Sequence, residues 1–206
     1  TQFFGRSTPH YTIYLFSGQL VFSYFTDATN SGMSSLMDNS TIFSKINVPK
    51  YMFLLSKNVS SFINFCLTLV VFLLFVAIDG IPFRWTFLLL LYPIVLLLLF
   101  NIGVGLILSA LFVFFRDIQY LWGVFTQLLM YMSAIFYTID GYSYPVRCAF
   151  LLNPVYLFIR YFRKITIDVT IPTVWFHLLM LVDTLIVLGI GYYVYKKNNR
   201  KFLYYV

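Results

Sequence analysis

Five apolar stretches separated by short polar segments run along this 206-residue chain, and their lengths predict membrane-crossing helices. The first, Tyr11 to about Ser31, is the weakest, because Ser17, Gln19, Ser23, Thr26 and Asp27 interrupt it. Polar groups at that frequency point to a helix facing protein or water rather than lipid. The second, Val59 to Ile78, is almost uniformly apolar and runs into the turn sequence Asp79-Gly80-Ile81-Pro82. The third runs from Thr86 to Phe115, about 45 Å of helix, so it must tilt, kink at Pro93 or project beyond the bilayer. It stops at Arg116-Asp117. The fourth is Ile118 to Thr138 and the fifth about Pro172 to Tyr195. Between these two, Val146 to Phe162 is apolar but divided by Asn153-Pro154. Proline removes a backbone donor and clashes with the preceding turn, so this piece reads as two half-helices that enter and leave on one side. The expected fold is therefore an all-α polytopic bundle, a single membrane domain over 1–206 with a re-entrant outer hairpin over 145–165.

Composition changes the picture only by confirming the class. The chain is 61% hydrophobic and 10% charged, with a mean hydropathy of +0.85, whereas soluble domains carry about 25% charged residues. No phosphate-binding loop of the G-x-x-x-x-G-K-[S/T] type is present, and Gly103-Val104-Gly105 lies inside an apolar helix where close packing explains it. No cofactor site is expected, so ATP and Mg would belong to a partner chain. Cys66 and Cys148 lack C-x-x-C spacing and histidines number only 2, so unpaired thiols and no metal cluster are expected.

The net charge of +7 sits at helix ends rather than on a soluble basic face, which argues for membrane orientation and against nucleic acid. Lys196, Lys197, Arg200 and Lys201 place the C-terminus in the cytoplasm. Counting back puts the loop with Lys45, Lys50 and Lys57 inside, Arg116 inside, and the hairpin, the Asp79 turn and Thr1 outside. Thr1 follows no methionine or signal sequence, so an earlier segment is expected.

Ser34 to Ile46 has the pattern of a short amphipathic helix. Ser35 and Asp38 form a capping-box spacing, and Leu36, Phe43 and Ile46 share one face. Asn47-Val48-Pro49-Lys50 stops it. Such a helix can lie on the inner leaflet, held by Lys45 and Lys50, or dock a soluble subunit.

Four blocks now carry a resemblance. They are Asn39-Ser40-Thr41-Ile42-Phe43-Ser44-Lys45-Ile46-Asn47-Val48-Pro49-Lys50, Phe115-Arg116-Asp117-Ile118, Ser133-Ala134-Ile135-Phe136-Tyr137, and Leu152-Asn153-Pro154-Val155 with Arg160 beyond it. Their order and spacing resemble the membrane subunits of ABC type-2 exporters, in particular those moving lipid-linked O-antigen, teichoic acid or rhamnose-rich wall polysaccharide. The resemblance implies a coupling helix at 34–50, in which Asn39, Ile42, Phe43, Lys45, Ile46, Pro49 and Lys50 meet an ABC ATPase subunit. It further implies that Arg116 and Asp117 position helix ends against it. An N-terminal interfacial helix and one more span are implied ahead of Thr1, six spans in all, together with a second permease copy. The family commonly has Ser-Pro-Ile where this chain has Ser133-Ala134-Ile135, so a straighter helix is expected there.

On the fourth span, Tyr120, Gln127, Tyr131 and Thr138 fall near one direction at 100° per residue, with Trp122, Phe125, Leu129, Met132 and Phe136 on an apolar face. The polar stripe suits a glycan path or polar contact between helices. Phe136, Tyr137, Arg147, Asn153, Pro154 and Arg160 are the candidate outer gate. Arg147, Arg160, Arg163 and Lys164 give the hairpin a basic character, directed at phosphate on an anionic polymer or at membrane lipid headgroups. Asp183 near the middle of the fifth span must face protein or water. Together with these residues, the resemblance implies the permease of an ATP-driven exporter of a lipid-linked glycan in the bacterial cytoplasmic membrane. An exporter of drugs or lipids with the same fold is the alternative, and a transferase on lipid-linked sugars is a lesser one, with Asp140 its best-placed base.

Overall fold

A computed structural model describes residues 10–43, 49–139, 141–199 and 202, the Phe43 side chain excepted. Those residues form α1 (Tyr11–Asp38), α2 (Ser40–Phe43), α3 (Tyr51–Ile78), a 3-10 segment (Trp85–Leu90), α4 (Leu91–Phe114), α5 (Ile118–Met132), α6 (Tyr144–Phe150), α7 (Pro154–Thr166) and α8 (Val174–Asn198). The expected all-helical bundle is what forms. Lys45, Ile46 and Asp140 lie outside the described residues.

The axis of the bundle is α4. Its sequence is apolar all round, which suits a helix surrounded by others, and α1, α3 and α8 pack on it. Small residues set how close they come. A Cβ added to Gly103 would stand 2.9 Å from the Leu188 backbone, and one on Gly191 would stand only 2.4 Å from the Gly103 carbonyl oxygen. Thus α8 touches α4 backbone to backbone. A Cβ on Gly32 would meet the Gly105 Cα at 3.3 Å, so α1 seats on another side of α4. Gly103-Val104-Gly105 serves helix packing, as its apolar setting predicts.

Among the described residues three helical stretches are long and apolar enough to cross a membrane by themselves: Tyr51–Ile78, Trp85–Phe114 and Val174–Asn198. In the second of these Pro93 causes a change of helix type rather than a mid-span kink. Its ring opposes an α-type bond to the carbonyl four residues back, so the preceding turn is 3-10 and Pro93 falls in the first turn of α4. Helix α1 has the length, at 28 residues, but is interrupted by its polar positions. Helix α5 has only 15 residues, roughly 22 Å, against about 30 Å of hydrocarbon.

Two expectations are corrected in this part of the fold. Ser34 to Ile46 is not a separate amphipathic helix, because α1 continues without a break to Asp38. Ser35 is not an N-cap; it is buried in mid-helix, its hydroxyl donating back to the Gly32 carbonyl at 2.6 Å. The cause is tertiary: Gly32 lies on Gly105, and Leu36 is fully buried with Leu54 and Leu106. Asn39 ends the helix, its amide donating to the Ser35 carbonyl at 2.8 Å. The second correction concerns Ile118 to Thr138, which is helical only as far as Met132; Ala134 then takes a left-handed φ of 49°. The straighter helix expected from Ala134 is absent.

The ends of the helices gather into two layers. At one end Asp38 pairs with Lys57 at 3.2 Å, the Lys50 ammonium donates to the Asn199 carbonyl at 2.9 Å, and Phe114 meets Phe202. At the other, His10 pairs with Asp79, and Tyr14 reaches the segment after α5. Asn153-Pro154 separates α6 from α7 as the pattern predicts. Asn153 caps α7 by accepting from the Val155 and Tyr156 amides, and Pro154 opens the helix where its missing N–H is no loss.

Candidate functional site

The candidate site has two features, a polar stripe along α1 and the assembly that joins the end of α5 to the hairpin. On α1 the packed face carries Leu20, Phe25, Ala28 and Leu36, while Gln19, Ser23, Asp27, Asn30 and Asp38 are exposed at helical spacing. Thr26 and Ser34 flank them. Gln19 donates to the Ser23 hydroxyl at 3.0 Å, whereas the Thr26 hydroxyl turns back to the helix carbonyls of Phe22 and Ser23. The stripe continues sideways onto α3, where Ser61, Asn64 and Thr68 complete a groove of about 300 Å³ with Leu20, Ser23, Tyr24, Thr26, Asp27 and Phe65. The exposed positions of α8 are otherwise dominated by Leu, Ile and Val, suited to lipid.

On α5, Tyr120 and Tyr131 are 70% and 57% exposed, and Gln127 is exposed beside them. At 100° per residue they stand opposite Trp122 and Thr126, which turn toward the bundle. Trp122 meets the Phe25 ring of α1 at 6.0 Å, and Thr126 is the one buried residue of α5. Thr138 does not extend the stripe, since the helix has ended six residues earlier. The apolar face is also divided: Trp122 and Leu129 pack on the core, but Phe125 and Met132 are 49% and 61% exposed.

Beyond Met132 the chain loses its helical hydrogen bonds, and its carbonyls are taken up from elsewhere. Asn153 donates to the Met132 carbonyl at 3.2 Å and to the Ser133 hydroxyl at 3.0 Å. Arg163 donates to the carbonyls of Ala134 at 2.9 Å and Ile135 at 3.1 Å, and Tyr14 to that of Tyr137 at 2.7 Å. Sequence reading assigned Arg163 to a basic outer surface. It is instead 7% exposed, with its guanidinium over the Tyr14 ring. Spacing does not set it apart, since Arg160 also follows the buried Tyr156 by four residues and Lys164 the buried Leu157 by seven; what distinguishes Arg163 is its distant partners Tyr14, Ala134 and Ile135. Arg147 is half-exposed on α6, and Phe136 and Tyr137 are half-buried within the segment that Arg163 holds.

A second buried set went unread. Tyr161 is fully buried and bonded to His177 Nε2 at 2.9 Å, His177 Nδ1 meets the Thr173 carbonyl, and Tyr92 donates to the His177 carbonyl. These bonds join α4, α7 and α8.

At the opposite end, Ile42 is exposed on the short α2, Pro49 is exposed, and Arg116 and Asp117 are exposed in the turn that links α4 to α5. Asn39 and Lys50 are engaged within the chain, Asn39 ending α1 and Lys50 gripping the end of α8. Among the described residues no group of three His, Cys, Asp or Glu side chains could hold a metal ion.

Comparison with known proteins gives this arrangement a lineage. Two O-antigen export system permease proteins RfbA of Klebsiella pneumoniae are 23% and 24% identical to this chain. The alignments cover 94% and 76% of the chain and 75% and 61% of those proteins. An RfbA of Myxococcus xanthus is 26% identical over 66% of the chain and 52% of its own length. The family described as "ABC-2 type transporter" matches residues 2–167, from before α1 to the end of α7, and the chain belongs to that family.

Proposed function

We propose that this chain is the membrane-spanning permease subunit of an exporter that moves a lipid-linked polysaccharide of O-antigen type across the bacterial cytoplasmic membrane. The observation that carries the reading is the polar stripe of α1, exposed along a 28-residue helix whose opposite face packs on the candidate spans α3 and α4. Hydroxyl, amide and carboxylate groups at that depth need water, protein or a hydroxylated cargo against them. The outward stripe of Tyr120, Gln127 and Tyr131 adds rings that cover sugar C–H faces and an amide that exchanges hydrogen bonds with hydroxyls.

In this reading a second copy closes the path, and an ABC ATPase subunit holding ATP and Mg supplies the energy. No residue of this chain performs covalent chemistry. The ATPase docks on 34–50 together with Arg116 and Asp117, with the C-terminus in the cytoplasm. Helices shift between two packed states as the ATPase closes. Phe136, Tyr137, Arg147, Asn153, Pro154 and Arg160 form the outer gate, on a hairpin that re-enters from outside.

The test is genetic and biochemical together. Co-expression with the cognate ATPase in cells lacking their own O-antigen permease restores surface polymer, and Ile42→Asp with Phe43→Asp abolishes ATPase co-purification while the permease remains inserted. Surface polymer that stays absent, with both subunits present and associated, refutes the cargo. Association that survives the double substitution refutes the docking segment.

A further inference from the structure

We infer that Arg163 is a positioning residue for export, tying α5 to the hairpin so that the two move as one body; this rests on the exporter reading. Helix α5 is unlike the other long helices in being thinly packed along its sides, with Thr126 its one buried residue. Its outer end is held firmly. The last carbonyls of a helix have no partner within it, and here they and the carbonyls that follow are claimed by other elements. Asn153, at the apex between α6 and α7, takes the Met132 carbonyl. Arg163, near the far end of α7, takes those of Ala134 and Ile135.

The chemistry of the guanidinium suits this task. A rigid planar fork reaches two carbonyls and the Tyr14 hydroxyl at 2.8 Å together, and its face lies 3.4 Å from the centre of the Tyr14 ring. An ammonium is a point donor and cannot span those acceptors. Space is reserved for it, because a Cβ on Gly18 would stand 2.9 Å from Nη2. The segment held this way includes Ala134 at a positive φ, a backbone state that a non-glycine residue keeps only when its surroundings impose it. Displacement of α5 by the ATPase is therefore passed through 132–137 to α7 instead of dissipating in a loose linker.

The experiment uses the full chain with its ATPase in proteoliposomes and compares Arg163→Gln, Arg163→Lys, Gly18→Ala and the neighbouring packing control Phe162→Leu. Three quantities are read: amide exchange over 133–139, ATP hydrolysis, and polymer exported per ATP. With Arg163→Gln, exchange over that segment rises at least about tenfold and export per ATP falls by a similar factor, while hydrolysis continues. Arg163→Lys restores neither, Gly18→Ala falls between, and Phe162→Leu lowers thermal stability with export per ATP unchanged. Unchanged exchange and coupling in Arg163→Gln overturn the inference, as does full recovery with lysine or equal uncoupling in the control. Should Arg163→Gln fail to fold, Gly18→Ala decides: wild-type exchange and coupling in that variant overturn it. A wild-type complex that moves no polymer refutes the exporter reading instead, and the exchange measurement still judges the clamp.

Discussion

Helices α1 and α5 both expose polar groups and both fall short of an uninterrupted apolar span, yet they sit in the bundle in opposite ways. The buried face of α1 runs from Ile13 to Leu36, with a glycine contact to α4. Helix α5 meets α1 through Trp122, with Thr126 buried and Leu129 against the core, and its firm attachments are at its Met132 end. The stripe on α1 is thus carried by a helix packed along its length, and the stripe on α5 by one packed thinly along its sides. The difference is made by packing rather than by the stripes, which look alike in sequence.

The largest expected effect sets the two packed faces against each other. Gly32→Val forces side-chain atoms onto Gly105 and should destabilise the protein by about 2–3 kcal/mol, read as a lowered unfolding midpoint in detergent. Gly123→Ala on α5, where an added Cβ meets nothing within 4 Å, should be neutral or stabilising by up to about 1 kcal/mol. Equal losses at both positions would mean that α5 is as tightly packed as α1.

Next in size is the contrast between the stripes themselves. Asp27→Leu with Asn30→Leu should cut export per folded molecule by about tenfold, since two polar contacts are each worth roughly 0.5–1.5 kcal/mol. Tyr131→Ala removes one stacking ring, about 1 kcal/mol, and should slow export about fivefold without affecting stability. Phe125→Ala with Met132→Ala is the control. Both side chains are largely exposed, so the pair should alter neither folding nor export. A control pair that impairs normalised export as much as Tyr131→Ala would remove α5 from the path.

The smallest effect tests the joint beyond α5. Ala134→Gly relieves the positive φ and should stabilise the protein by about 0.5–1 kcal/mol. Destabilisation there would show that the methyl group, buried with Ile139 and Tyr156, contributes more than the backbone strain removes.

Local sequence determined the class of fold, because runs of Leu, Val, Ile and Phe twenty or more residues long have few stable arrangements other than membrane helices. It also determined the break at Asn153-Pro154, where proline chemistry acts within one turn, and the packing role of Gly103-Val104-Gly105. The polar character of α1 was visible for the same reason. What only the tertiary structure decided are the places where a distant partner overrides a local signal. Ser35 and Asp38 spell a helix start, but Gly32 and Leu36 bury against α4 and α3 and carry α1 through it. Tyr120, Gln127, Tyr131 and Thr138 align on an ideal helix, but bonds from Asn153 and Arg163 stabilise an end at Met132. Arg163 itself reads as surface charge among other basic residues, since nothing near it in sequence reveals that Tyr14 and two freed carbonyls stand ready to receive it. Hydrophobic periodicity acts over a few residues, whereas the satisfaction of buried donors and acceptors is settled between elements, after the chain has folded.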